Sequence, residues 1–257
     1  PRGTASPPPL PRGNHLPIVL FPQPAPHRLC RLVWQAIARR YRGVGIPFVL
    51  ELLNEVVLPE SGPWNALARQ AVAAIRAVDA TCPIMIGGNQ YNAASELRQI
   101  ALLDDPNIVY TFHFYEPLLF THQKASWVQA AVEYDQTLDY PGRFTGLDAF
   151  LAQAPQHRVA YGTLAERPLD RALVEAYLQP ALDFVQGSGK PVYCGEYGVF
   201  IAAPAPSRRR WLADVIDLLR THGIGRALWS YKEMGFGLVD QAGQVIDAEL
   251  LAIVRNR

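Results

Sequence analysis

An alternation constrains this chain more than anything else in it. Short, dense apolar runs recur between longer segments with helical spacing. The run IPFVLELLNEV (46–56) is too apolar for a half-exposed strand and suits one buried on both faces. WNALARQAVAAIRAVDA (64–80) returns to helix, and PIMIGG (83–88) to strand, closed by glycines. NIVYTFHFY (107–115), KPVYCGEYG (190–198) and RALWSY (226–231) are three further strands. Ahead of them, LCRLVWQAIARRY (29–41) sets Leu29, Val33, Ile37 and Tyr41 at helical intervals, and the pattern predicts more helices over 144–154, 169–187, 207–221 and 247–255. Strands alternating with helices predict an α/β fold, a parallel sheet with crossover helices. In such a fold the loops after strand ends carry the chemistry. Residues 116–165, with FTHQKASW, Pro141-Gly142 and Tyr161-Gly162, are the least regular and read as long loops on one face.

Composition excludes several classes. The 257 residues, 49% apolar and 18% charged, suffice for one large domain with a packed core. A net charge of +1, from 24 basic and 23 acidic residues, offers no basic excess, so no nucleic-acid partner is expected. No apolar stretch approaches the ~18 residues that span a bilayer, so no membrane partner is expected either. Three cysteines, Cys30, Cys82 and Cys194, without CxxC spacing argue against a disulfide framework or a structural zinc site.

The start differs in composition. Nine of the first 26 residues are proline. Residues 1–28 therefore read as a Pro-rich arm that cannot be helical, and 29–257 as the main domain. Within the arm, Ile18–Phe21 alone suits a strand, the other reading being an extended tail. No signal peptide is visible, and localisation is not legible from the residues.

Two strand ends carry carboxylates: Asn54-Glu55 closes the first strand, and Glu196 lies between Gly195 and Gly198. A carboxylate at the end of a buried strand is costly unless paired or used. Two on different strands of one parallel sheet point to the same end of the fold, as a glycosidase requires. The other reading makes each a structural carboxylate on a helix start or an arginine. His113 and Tyr115 fall on one side of their strand by alternation, facing inward if Phe112 and Phe114 face the helices. Trp229 suits stacking on a sugar or burial in the core, and Asn89 follows PIMIGG within reach of the same end. Glu51 reads as filler of an inner layer, and Glu116 and Glu166 as poorer candidates in loops. Gly87-Gly88 has no following Lys-Ser or Lys-Thr, and neither HExxH nor GxSxG occurs. Cys194 reads as a small buried hydrophobe.

Taken in order, FVLELLNEV, IVYTFHFYEPLLFTHQKASWV, KPVYCGEYGVF and ALWSYKEMGFGLVD resemble glycoside hydrolase family 5, the cellulases and related β-glycanases, from about Leu29 to Leu251. The resemblance implies a (β/α)8 barrel and retaining hydrolysis. It implies Glu55 as acid/base after the fourth strand and Glu196 as nucleophile after the seventh. Asn54 matches the asparagine that holds the sugar 2-hydroxyl, His113 and Tyr115 the HxY pair beside the nucleophile, and Trp229 the aromatic platform. Lys232 lies in the loop after it. The implied activity is endo-hydrolysis of β-1,4-glucan, with mannan, xyloglucan or mixed-linkage glucan as alternatives. No cofactor or metal is implied, the partner is a polysaccharide, and the implied location is outside the cell.

The chain departs from that family at its start. Only five strands are recognisable, matching the fourth to the eighth, so the fold is expected to be an incomplete barrel. Its open edges, at 46–53 and 226–231, are expected to be closed by a second copy of the chain or plugged by the Pro-rich arm. A carbohydrate-binding remnant without turnover is the competing function.

Overall fold

The structure, a computed structural model, describes residues 24–255. In chain order its strands are β1 (Leu50–Glu51), β2 (Ile84–Gly87), β3 (Ile108–Phe114), β4 (Gly142–Arg143), β5 (Pro168–Leu169), β6 (Val192–Tyr197) and β7 (Gly225–Arg226). The helices are α1 (Pro24–Tyr41), α2 (Ser61–Arg76), α3 (Leu118–Thr121), α4 (Gln129–Tyr134), α5 (Leu147–Gln153), α6 (Arg158–Tyr161), α7 (Arg171–Ser188), α8 (Ala205–Thr221) and α9 (Ala248–Arg255). Among the described residues the main sheet has five strands in the order β1-β2-β3-β6-β7, fewer than the eight of a closed barrel. Four lie within the expected runs; β7 overlaps the run read at 226–231 only at Arg226. The described residues fall into two compact units, one of 24–112 with 183–193 and one of 113–182 with 194–255.

In the first unit, β1 pairs with β2 in parallel (Leu50↔Ile84) and β2 with β3 (Ile84↔Ile108, Gly87↔Thr111). Helix α2 buries Trp64, Leu67, Ala68, Ala71, Val72 and Ile75, the 3.6-residue stripe read from the sequence. The Trp64 indole donates to the Gly87 carbonyl at 2.8 Å, tying α2 to the end of β2. Helix α1 buries only Trp34 and Ala38 among its apolar side chains from Leu29 on, and packs on α2 with Arg31 donating to Gln70.

Two expectations are corrected here. Helix α1 begins at Pro24, inside the arm read as non-helical. Pro24 and Pro26 occupy the first turn, where the missing amide has no intrahelical acceptor and the fixed φ is already helical. The strand suggested at Ile18–Phe21 lies outside the described residues. Glu51 is exposed rather than packed in an inner layer.

The second unit is built around the end of β3 and on β6. Phe114 is fully buried and stacks on Trp211 of α8 with ring centroids 6.0 Å apart. Helix α8 buries Trp211, Leu212, Val215, Ile216 and Leu219. Residues 116–165 are not long loops. They hold α3 to α6, and β4 pairs antiparallel with β5. Each element is too short to show a period, yet the region buries Leu138, Tyr140, Phe144, Leu147 and Leu151. The Gln123 amide stitches it, donating to the Phe120 and Leu138 carbonyls and accepting from Leu138 N–H.

Candidate active site

In the second unit, β6 delivers Glu196 and β3 delivers His113, with Tyr115 just past the strand end. The Tyr115 hydroxyl donates to Glu196 Oε2 at 2.9 Å. The same oxygen lies 3.5 Å from His113 Nδ1. His113 is buried, and the Glu196 side chain retains 17% exposure. The expected alternation holds: Phe114 turns to α8 while His113 and Tyr115 meet the carboxylate. Below Glu196, Cys194 is fully buried, its Sγ donating to the Glu196 carbonyl at 3.3 Å, which bears out its reading as a small core residue. His113 and Glu196 are side chains of metal-ligating type, but the Tyr115 hydroxyl already engages the carboxylate oxygen that faces the imidazole.

Tyr115 is itself held on three sides. Its carbonyl accepts from Thr121 Oγ1, and its ring meets His122 edge-on at 5.1 Å and Phe236 at 6.0 Å. His122 faces Tyr115, Trp127 and Phe236, and its Nδ1 lies 3.0 Å from Thr121 Oγ1. Burial in this aromatic shell pulls its imidazole down to about 4. Trp127 packs on Phe200 yet stays 54% exposed. Sequence reasoning read FTHQKASW as irregular loop and missed both His122 and Trp127. An aromatic and an imidazole close behind an HxY pair were the available signal.

Trp229 keeps 37% of its surface exposed, and its N–H donates to the Tyr197 carbonyl at 3.0 Å. That contact explains Gly198, where a Cβ would lie 2.4 Å from the Trp229 carbonyl oxygen. Lys232 is exposed, its backbone bridging to Val239. Glu166 is exposed, and Glu116, with its carboxyl accepting from Tyr115 N–H, is pushed up by burial.

In the first unit, Asn54 is exposed and Glu55 half-buried. The pairing of β1 continues to Leu52, whose N–H donates to the Met85 carbonyl, and the chain then turns. Glu55 takes a φ of +45°, unusual for a residue with a Cβ. The turn is held by the segment after β2. Leu58 N–H donates to Asn89 Oδ1 at 2.8 Å, and Asn89 Nδ2 donates to Leu58 O at 2.9 Å. Gln90 Nε2 adds a bond to Leu58 O at 2.6 Å, and Tyr91 N–H donates to Val56 O at 3.3 Å. Asn89 is 2% exposed, so its amide serves the backbone and is not presented to a ligand, a correction to its reading as a sugar contact. Burial, then the Glu55 charge, raises the Tyr91 phenol.

Residues 27–235 match the Cellulase (glycosyl hydrolase family 5) family. The chain is 39% identical over 238 residues to Endoglucanase C of Acetivibrio thermocellus, covering 93% of this chain and 69% of that protein. Cellodextrinase A of Ruminococcus flavefaciens is 29% identical over 196 residues, 76% of this chain and 51% of that one. Among solved structures, Thermotoga maritima Cel5A in complex with cellobiose superposes with a TM-score of 0.74 at 23% identity, covering 91% of this chain and 68% of that one. The same protein with mannotriose gives 0.72 at 22% identity, covering 90% and 67%.

Proposed function

Because the chain belongs to glycosyl hydrolase family 5, we propose that it is an endo-acting retaining hydrolase of β-1,4-glucan, with Glu55 as general acid/base and Glu196 as nucleophile. The observation that carries the reading is the pair of contacts on one Glu196 oxygen: the Tyr115 hydroxyl and the His113 imidazole both address Oε2. Contacts from two side chains hold the Glu196 carboxylate in place, as a group that attacks an anomeric carbon requires.

The chemistry follows in two displacements. Glu196 attacks the anomeric carbon as Glu55 donates its proton to the departing glycosidic oxygen, and the leaving chain takes that proton. Glu55, now a carboxylate, removes a proton from water, which displaces Glu196 and restores both side chains. Asn54, His113, Tyr115, Trp229 and Lys232 are the proposed sugar contacts, with Trp229 as the stacking surface. The name of the 39%-identical relative supports endo-action on glucan. The mannotriose complex of a structural neighbour supports mannan as the second substrate to test.

The proposal extends to setting. A polymer substrate places the enzyme outside the cell, and no described helix is long and apolar enough to cross a membrane. Strand β1 is an edge, and Leu29, Leu32, Val33, Val44, Ile46 and Val49 near it in sequence are exposed. An edge among the described residues, with exposed apolar side chains near it in sequence, supports association with a second copy of this chain. Sedimentation at micromolar concentration tests this; a stable monomer overturns it.

The decisive experiment incubates the protein with carboxymethylcellulose, mixed-linkage glucan, xyloglucan and glucomannan and follows new reducing ends by NMR. The expected first product is the β-anomer from carboxymethylcellulose, abolished in Glu196→Gln. A first product of the α-anomer overturns retention. Binding without release from any glycan favours the carbohydrate-binding reading, which the five-stranded sheet supports.

A further inference from the structure

We propose that Asn89 is a positioning residue for Glu55, its buried carboxamide acting as a clamp on the loop that presents the acid/base. The inference rests on the assignment of Glu55 above and goes beyond it to what holds that side chain in place.

The clamp is bidentate. Asn89 meets Leu58 as one peptide meets another, Oδ1 accepting from Leu58 N–H at 2.8 Å and Nδ2 donating to Leu58 O at 2.9 Å. One such bond allows swivelling; two from one amide restrict it. Gln90 Nε2 and Tyr91 N–H add bonds to Leu58 O and Val56 O, so three consecutive residues grip the loop just past Glu55. Val56 is 2% exposed and anchors it from the core side.

The grip has something to hold. Glu55 sits at a φ of +45°, a conformation that costs a residue with a Cβ and persists only where the surroundings impose it. Gln90, Tyr91 and Asn92 also have positive φ, at +47°, +61° and +60°. The gripping segment is thus itself wound to turn the Asn89 amide and the Tyr91 N–H towards the loop. With Asn89 shortened, Leu58 N–H loses its side-chain acceptor and Leu58 O one of its two side-chain donors, at a half-buried site. The loop then relaxes towards ordinary φ, and the Glu55 carboxyl moves with it. A displacement near 1 Å in a catalytic group costs on the order of 10²-fold.

Proton donation matters only where the leaving oxygen is a poor leaving group, and this separates positioning from general loss of structure. The test compares wild type, Asn89→Ala, Asn89→Asp and Glu55→Gln on phenyl and dinitrophenyl cellobiosides. For Asn89→Ala the expected result is a fall in kcat/KM of roughly 10²-fold on the phenyl substrate and little change on the dinitrophenyl one. Asn89→Asp, which keeps the acceptor to Leu58 N–H, is expected to fall between. Equal losses on both substrates, or none, overturn the proposal. A Glu55→Gln variant that hydrolyses the phenyl substrate like wild type overturns the acid/base assignment instead. Hydrogen exchange of residues 55–58 gives a readout independent of turnover. Asn89→Ala is expected to speed it by ~10-fold or more while peptides of α7 and α8 keep their rates, and unchanged exchange in 55–58 overturns the clamp.

Discussion

Tyr115 and Glu196 are joined by a hydrogen bond of 2.9 Å between residues 81 positions apart in the chain, the phenol donating to Oε2. Thr121 holds the Tyr115 backbone carbonyl, and His122 and Phe236 flank its ring. Removing the hydroxyl alone should therefore act chiefly on the Glu196 carboxylate. In Tyr115→Phe, kcat is expected to fall roughly 10- to 100-fold, the equivalent of one hydrogen bond to a charged group. KM and the melting temperature should stay close to wild type. Steady-state kinetics with a thermal melt checks this, and an unchanged kcat removes Tyr115 from the site.

Much of this arrangement was legible in the sequence, for a reason visible in particular residues. β3 is buried on both faces, so its apolar run stood out, and period-2 alternation was enough to put His113 and Tyr115 opposite Phe112 and Phe114. Glu55 and Glu196 were conspicuous as charges ending apolar strands. The 116–165 region was misread because α3 to α6 run four to seven residues each, shorter than any window in which a 3.6-residue period repeats. The helical turn at Pro24 was missed because proline forbids a helix interior and not its first turn. The part that Asn89 plays was not legible. Its two bonds go to backbone groups of a residue 31 positions away, which no local pattern encodes.

Trp229 offers a partly exposed indole whose backbone is tied to β6 through Tyr197. A side chain that binds by its face alone should affect affinity before chemistry. Trp229→Ala is expected to raise KM roughly 3- to 10-fold, the worth of one aromatic contact, with kcat within a factor of about 2 on the same scale. Initial rates on a cello-oligosaccharide series read the split. A drop confined to kcat contradicts the stacking role.

Gly198 sets the end of β6 against the Trp229 backbone. A Cβ there would stand 2.4 Å from the Trp229 carbonyl oxygen and 3.1 Å from Phe236 Cδ1. The Trp229 backbone cannot retreat without losing its bond to Tyr197. Gly198→Ala should cost about 1–3 kcal/mol of stability through overpacking. It should also perturb indole fluorescence and lower activity more than stability alone explains. Urea unfolding followed by tryptophan emission checks both, and a variant with wild-type stability and activity contradicts the close approach.

His122 predicts a specific pH dependence of folding. Its imidazole is buried among aromatic rings and pulled down to about 4, against 6.5 when the chain is unfolded. Between those values the unfolded chain binds the proton and the folded one does not, so stability rises with pH across the window and falls on acidification. The full shift corresponds to about 3 kcal/mol, reached near pH 4. Glu116 acts with the opposite sign: burial pushes its carboxyl up, so the unfolded chain loses that proton first and stability falls as pH rises above the ordinary carboxylate range. A raw stability profile therefore mixes the two. The difference between wild type and His122→Gln isolates the imidazole, since Glu116 is common to both. The variant is expected to be less stable at neutral pH, having lost ring contacts with Tyr115 and Phe236, and to show a shallower decline on acidification. Urea midpoints at half-unit steps from neutrality to pH 4 measure it. Parallel profiles for the two proteins would mean that His122 carries its proton in the folded state, contrary to its surroundings.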